Sequence, residues 1–83
     1  MAEHSDEMCT LINEIAKVLV DAPDQVSVTA VDEEEGTVLE LRVAESDLGK
    51  VIGKQGRTAR SLRTILGAAS MKFHERYSLE IVE

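Results

Sequence analysis

The sequence predicts an α+β fold in which a three-stranded mixed sheet carries three helices on one face. Three observations lead there. Two segments, one near the start and one after Arg57, repeat apolar residues at the three-and-four spacing of an amphipathic helix. QVSVTAVD, TVLELRV and YSLEIVE alternate as strands, two before the second helical segment and one after it. A length of 83 residues holds one small domain, 1–83, and two layers suffice to bury every stripe.

The first helix is expected from Ser5 to about Ala22, with Met8, Leu11, Ile12, Ile15 and Leu19 on its buried face; residues 1–4 are expected to form a frayed start. Ser5 reads as the N-cap, Asp6 and Glu7 stand where the helix dipole favours negative charge, and Pro23 marks the end. In the two strands that follow, Val26, Val28 and Ala30 share one side, as do Leu39, Leu41 and Val43. DEEEG joins them. Asp32 to Glu35 are too charged to bury and Gly36 permits positive φ, so the run reads as a hairpin turn in solvent. A divalent-metal site would need several oxygens held in a fixed cage, which a turn does not supply. ESDLGKVIG reads as a short helix with Ser46 as N-cap, Asp47 in its first turn and Gly53 closing it at φ > 0. The long helix begins near Arg57 on the stripe Leu62, Ile65, Leu66, Ala69 and Phe73, and ends before Tyr77 opens the third strand.

Apolar residues at 43% and charged residues at 30% describe an ordinary globular chain, neither disordered nor membrane-embedded. The start, MAEHSDEM, lacks the basic and then apolar pattern of a secretory signal, so the expected location is the cytoplasm, with no membrane partner. The lone Cys9 cannot form an internal disulfide and falls on a helical pattern as a small, partly buried side chain.

Charge is distributed unevenly. Between Leu48 and Arg76 stand seven basic residues (Lys50, Lys54, Arg57, Arg60, Arg63, Lys72, Arg76) and one acid, Glu75, a local charge of +6 in a chain of net charge −7. At physiological salt the Debye length is about 8 Å, so an anion touching this region feels nearby arginines more than distant glutamates. At 100° per residue, Arg57, Arg60 and Arg63 fall away from the apolar stripe and face outward. Arginines on a helix are ordinarily just a solvated face. Here they adjoin the loop Gly53-Lys54-Gln55-Gly56. A G-x-x-G spacing alone is weak evidence of anything; between a short apolar helix and an arginine-rich one it gains meaning. Glycines keep the turn tight and let another backbone approach, and the positive end of the following helix favours an anion over the loop. Lys54 adds a mobile charge and Gln55 a hydrogen-bond donor.

VIGKQGRTARSLRTIL, preceded by two strands and followed by one, resembles a KH domain with the type II element order αββααβ, and the small stand-alone bacterial KH proteins of the KhpA (YlqC) family in particular. The resemblance covers nearly the whole chain. It implies a protein that binds single-stranded RNA, as a post-transcriptional regulator or RNA chaperone, and that forms a homodimer or pairs with a larger KH-containing Jag/KhpB-like protein. Gly53, Lys54, Gln55 and Gly56 would form the clamp on four nucleotides, Ile52 and Leu62 would floor the groove, and Arg57, Arg60 and Arg63 would meet phosphates or base edges. Ala59 departs from the branched aliphatic common at its position in KH domains, which implies a shallower groove and weaker base preference.

Other chemistries fit poorly. The nucleotide-binding pattern G-x-x-x-x-G-K-[ST] fails, because Gly49 and Gly53 are one residue too close and Gln55 follows Lys54. His4 near the start, Cys9 and His74 near a helix end give no nucleophile and base pair and no metal-ligand spacing, so neither an enzyme nor a cofactor is expected. With only Phe73 and Tyr77, the chain lacks the exposed rings of a base-stacking platform. The remaining alternative is a protein-interaction module that uses the same surface to dock a protein, a reading that the net charge of −7 favours.

Overall fold

A computed structural model describes residues 2–83, so of the expected frayed start Met1 lies outside the described residues. The chain runs α1 (Ser5–Leu19), β1 (Ser27–Glu33), β2 (Gly36–Arg42), α2 (Leu48–Ile52), α3 (Arg57–Phe73) and β3 (Tyr77–Ile81), with short 3₁₀ turns at 23–25, 45–47 and 54–56. This is the expected αββααβ order. The strands lie in the order β1-β2-β3, β1 antiparallel to β2 and β2 parallel to β3, which makes the sheet mixed.

Being central, β2 is covered most completely. Leu39 and Leu41 are fully buried, opposite Ala30 and Val28 of β1 and Leu79 and Ile81 of β3. Ile12, Ala16 and Met8 of α1, Val51 of α2, and Leu62 and Leu66 of α3 close over them. Each fully buried leucine or isoleucine contributes about 2–3 kcal/mol relative to exposure, so this cluster dominates the packing of so small a domain. Gly36 shows how tightly β2 meets the chain entering β3: a Cβ there would stand 2.6 Å from the Arg76 carbonyl oxygen, which accepts the Thr37 N–H at 2.8 Å.

Several expectations shift. The N-cap of α1 is His4 and no side chain caps it; the Ser5 hydroxyl instead donates to the Ala2 carbonyl at 3.1 Å. α1 stops at Leu19, not Ala22, because Val20 turns extended to bury itself in the core. The N–H groups of Asp21 and Ala22 then donate to the Asp47 carboxylate, at 3.2 and 3.0 Å. Asp47 is accordingly a buried staple between the end of α1 and the start of α2, and Ser46 is no cap: it lies within the 3₁₀ turn. On α3, Ile65 is 41% exposed, since it sits about 70° from the centre of the stripe formed by Leu62, Leu66, Ala69 and Phe73. Ala30 faces the helix layer yet is exposed, because the cover of α1 stops short of it.

The expected frayed start is tied down at its described end. The backbone N–H groups of Glu3 and His4 donate to Glu75, at 2.8 and 3.2 Å, and the His4 ring stacks on Phe73 at 3.8 Å. Glu75 also accepts from the Tyr77 hydroxyl, the interaction that does most to hold its carboxyl down at about 2. Burial, followed by that same bond, pushes the Tyr77 phenol up to about 12.

Candidate nucleic-acid interface

The loop between α2 and α3 owes its shape to three successive demands on the backbone. Gly53 ends α2 at φ 80°, as its position predicts, and its N–H bonds to the Gly49 carbonyl at 2.8 Å. A Cβ on Gly53 would fall 2.3 Å from the Thr58 hydroxyl oxygen, so no larger residue fits. Gln55 (φ 57°) and Gly56 (φ 74°) are both left-handed, and together they reverse the chain into α3. Nothing lies within 4 Å of where a Gly56 Cβ would be, so that glycine answers to conformation alone and leaves open space over the loop. Lys54 and Gln55 project into solvent, and no side chain caps the N-terminus of α3 behind them.

The arginines divide the work around this loop. Arg57 is exposed, with only a long 3.4 Å contact to the Gln55 side chain. Arg60 donates to the backbone carbonyl of Gln55 at 2.8 Å and so braces the left-handed residue. Arg63 reaches toward the Leu79 carbonyl of β3 at 3.4 Å. Between α3 and β3 runs an open groove of about 470 Å³, lined by Ile52, Gly56, Ala59, Leu79 and Ile81, with Arg60 and Arg63 on one side and Glu80 and Glu83 on the other. Ile52 lines this groove, Leu62 is buried in the core cluster, and Ala59, one turn earlier and only 4% exposed, lines the groove beside Ile52.

The basic half of the sequence is not one surface. Lys50 pairs with Asp21 at 3.2 Å and with Asp47 at 3.6 Å, and the Asp21 partnership raises its pKa. Burial pushes the Asp47 carboxyl up, but the N–H bonds from Asp21 and Ala22 and the Lys50 charge outweigh it and hold the group below its ordinary range. Lys72 sits in the last turn of α3, roughly 22 Å of helix from Arg57, and Arg76 lies beyond that helix, just before β3. What remains beside the loop is Lys54, Arg57, Arg60 and Arg63.

Sequence reasoning missed the residues whose partners are distant in the chain. Asp47 works through backbone 25 residues away and Glu75 through backbone 71 residues away, and neither contact leaves a local pattern. The absence of metal-ligand spacing likewise holds along the sequence but not in space, for Glu3, His4 and Glu75 bring ligand atoms within 4.8 Å of one another. The Glu75 oxygens there are already taken up by Glu3, His4 and Tyr77. Among the described residues no helix is long and apolar enough to cross a membrane.

An αββααβ sheet whose two middle helices meet at a G-x-x-G loop defines a type II KH domain, a binding module and not a catalyst. The family model described as KhpA/KhpB, KH domain, matches residues 10–81, and the chain belongs to that family. It is 47% identical to the RNA-binding protein KhpA of Borreliella burgdorferi over the full length of both chains. It is 51% identical to the protein of the same name from Clostridium acetobutylicum, across 90% of this chain and all of that one. With the Aquifex aeolicus protein of that name the identity is 57%, over 82% of this chain and 86% of the relative.

Proposed function

We propose that this protein binds single-stranded RNA, with the phosphate backbone lying over Gly53-Lys54-Gln55-Gly56 and the bases turned into the groove between α3 and β3. The observation that carries the reading is the pair of left-handed residues, Gln55 and Gly56, delivering the chain into an uncapped helix N-terminus flanked by Lys54, Arg57 and Arg60. A phosphate there supplies the acceptor that a capping side chain would otherwise provide. The aliphatic floor of Ile52, Ala59, Leu79 and Ile81 receives bases by van der Waals contact, without aromatic stacking. Ala59 offers a base less van der Waals contact than a branched aliphatic would, which favours weak sequence preference.

Two copies, or one copy with a larger KhpB-like relative, would set two such clamps on one strand and raise avidity through effective concentration. That arrangement suits a regulator or chaperone acting on many transcripts. Ultraviolet crosslinking to an unstructured RNA tests the site: crosslinked peptides should fall within 52–63, and crosslinks confined to α1 or β1 would refute it. Glu80 and Glu83 on the groove wall favour a second reading, in which a basic protein segment docks there. Competition between RNA and such a segment for the groove would separate the two.

A further inference from the structure

A second concave surface lies at the sheet edge opposite the groove between α3 and β3. An open groove of about 610 Å³ runs between the first half of α1 and β1, with Cys9, Val28 and Ala30 among its lining and Glu3, Asp6 and Asp32 contributing its charge. No lysine or arginine lines it. Beside it runs β1, an edge strand of seven residues without proline or bulge, whose two charged residues, Asp32 and Glu33, are both acidic and so guard the edge against acidic strands but not basic ones.

The hairpin register decides which backbone groups are free. The two-residue turn makes Glu33 and Gly36 a hydrogen-bonded pair, so Val31–Val38, Thr29–Glu40 and Ser27–Arg42 are bonded pairs as well. The N–H and C=O groups of Val28, Ala30 and Asp32 therefore point away from β2, along the open edge. These same residues line the groove. An incoming strand would find backbone partners and a place for every second side chain at one spot.

We propose that this edge and groove dock an extended, positively charged segment of a partner protein, which adds to the sheet as a fourth strand beside β1. Charge selects the occupant. Glu3, Asp6, Asp32 and the Glu33–Glu35 run repel RNA phosphates and repel a second copy carrying the same acids, while they attract alternating lysines or arginines. Because β1 and β3 are opposite edges of the sheet, such a partner and RNA can be held together.

The test titrates the full chain, followed by amide NMR, with a synthetic peptide of about seven residues alternating lysine and valine, and with its glutamate counterpart. The lysine peptide should shift amides of β1 and the start of α1, weaken with salt, and outbind the glutamate peptide. Ala30→Pro removes an outward N–H without touching the β2 ladder and should cut affinity about tenfold. Asp6→Lys, on an exposed helix position, should weaken binding with β1 itself unaltered. No saturable binding, equal binding by Ala30→Pro and Asp6→Lys, or shifts confined to the α3 groove would overturn the proposal. So would self-association that Ala30→Pro abolishes, since a second copy would then own the edge.

Discussion

The Arg60 guanidinium donates to the carbonyl of Gln55 across 2.8 Å, tying the first turns of α3 to the left-handed residue of the loop. Arg60 therefore shapes the site as well as charging it, whereas Arg57 beside it is exposed and makes no comparable bond. Arg57→Ala should leave stability within about 0.5 kcal/mol and make the salt dependence of RNA binding shallower by about 0.7 in log–log slope. Arg60→Ala should lose more affinity and also speed amide hydrogen exchange at Gln55 and Gly56. Equal effects of the two substitutions on exchange would show that the brace is idle.

The two loop glycines should differ when replaced. Gly53→Ala forces a Cβ to 2.3 Å from the Thr58 hydroxyl oxygen at φ 80°, and should destabilise by roughly 2 kcal/mol or more. Gly56→Ala meets empty space and should cost only the left-handed penalty of about 1 kcal/mol. Urea denaturation of both variants measures the difference, and a reversed order would contradict the packing described.

Acid should unfasten the start of α1. The Glu75 carboxyl is held down at about 2 from an ordinary 4.5, so its contribution to stability is fully present above about 4.5 and is lost as pH falls toward about 2. Asp47, also depressed, acts in the same sense. Glu75→Gln should lower stability at neutral pH and flatten the acid limb of the stability profile between those values. An unchanged limb would assign the loss of stability to other carboxyls.

Self-association is expected of a domain this small, or pairing with a KH-containing partner. Sedimentation should show a dimer at high protein concentration, or a KhpB-like protein should copurify. A monomer throughout, with no such partner, would leave the clamp acting singly.

Most of the fold was legible because its stripes are local: Met8 and Ile12 repeat within one helix, and Leu39 and Leu41 within one strand, although on α1 the fully buried Ala16 lay outside the expected stripe and Leu19, inside it, is 37% exposed. Gly53 and Gly56 were legible for the same reason, since a tight turn between two helices names its own residues. What escaped were partnerships across the fold. Leu62 and Ala59 differ by one turn of α3, and only the position of β3 decides which of them faces the groove. Asp47 looks like any first-turn acid until the chain after α1 brings two N–H groups to it. Arg60 reads in the sequence only as a charge facing a ligand, and its bracing of the loop shows once the left-handed Gln55 turns its carbonyl toward it.

The central claim is that the loop is the phosphate site, and the variant Lys54→Asp/Gln55→Asp addresses it most directly. Both side chains are exposed, aspartate tolerates left-handed backbone, and the Arg60 bond uses the backbone carbonyl, which the substitution keeps. Titration of one unstructured RNA at several salt concentrations, with circular dichroism as the check on folding, should show linear log–log salt dependence for the wild-type protein with a slope of about −1.4 to −2.8, from two to four phosphate contacts. The variant should keep its fold and lose measurable binding. A folded variant that binds RNA with wild-type affinity would contradict the account.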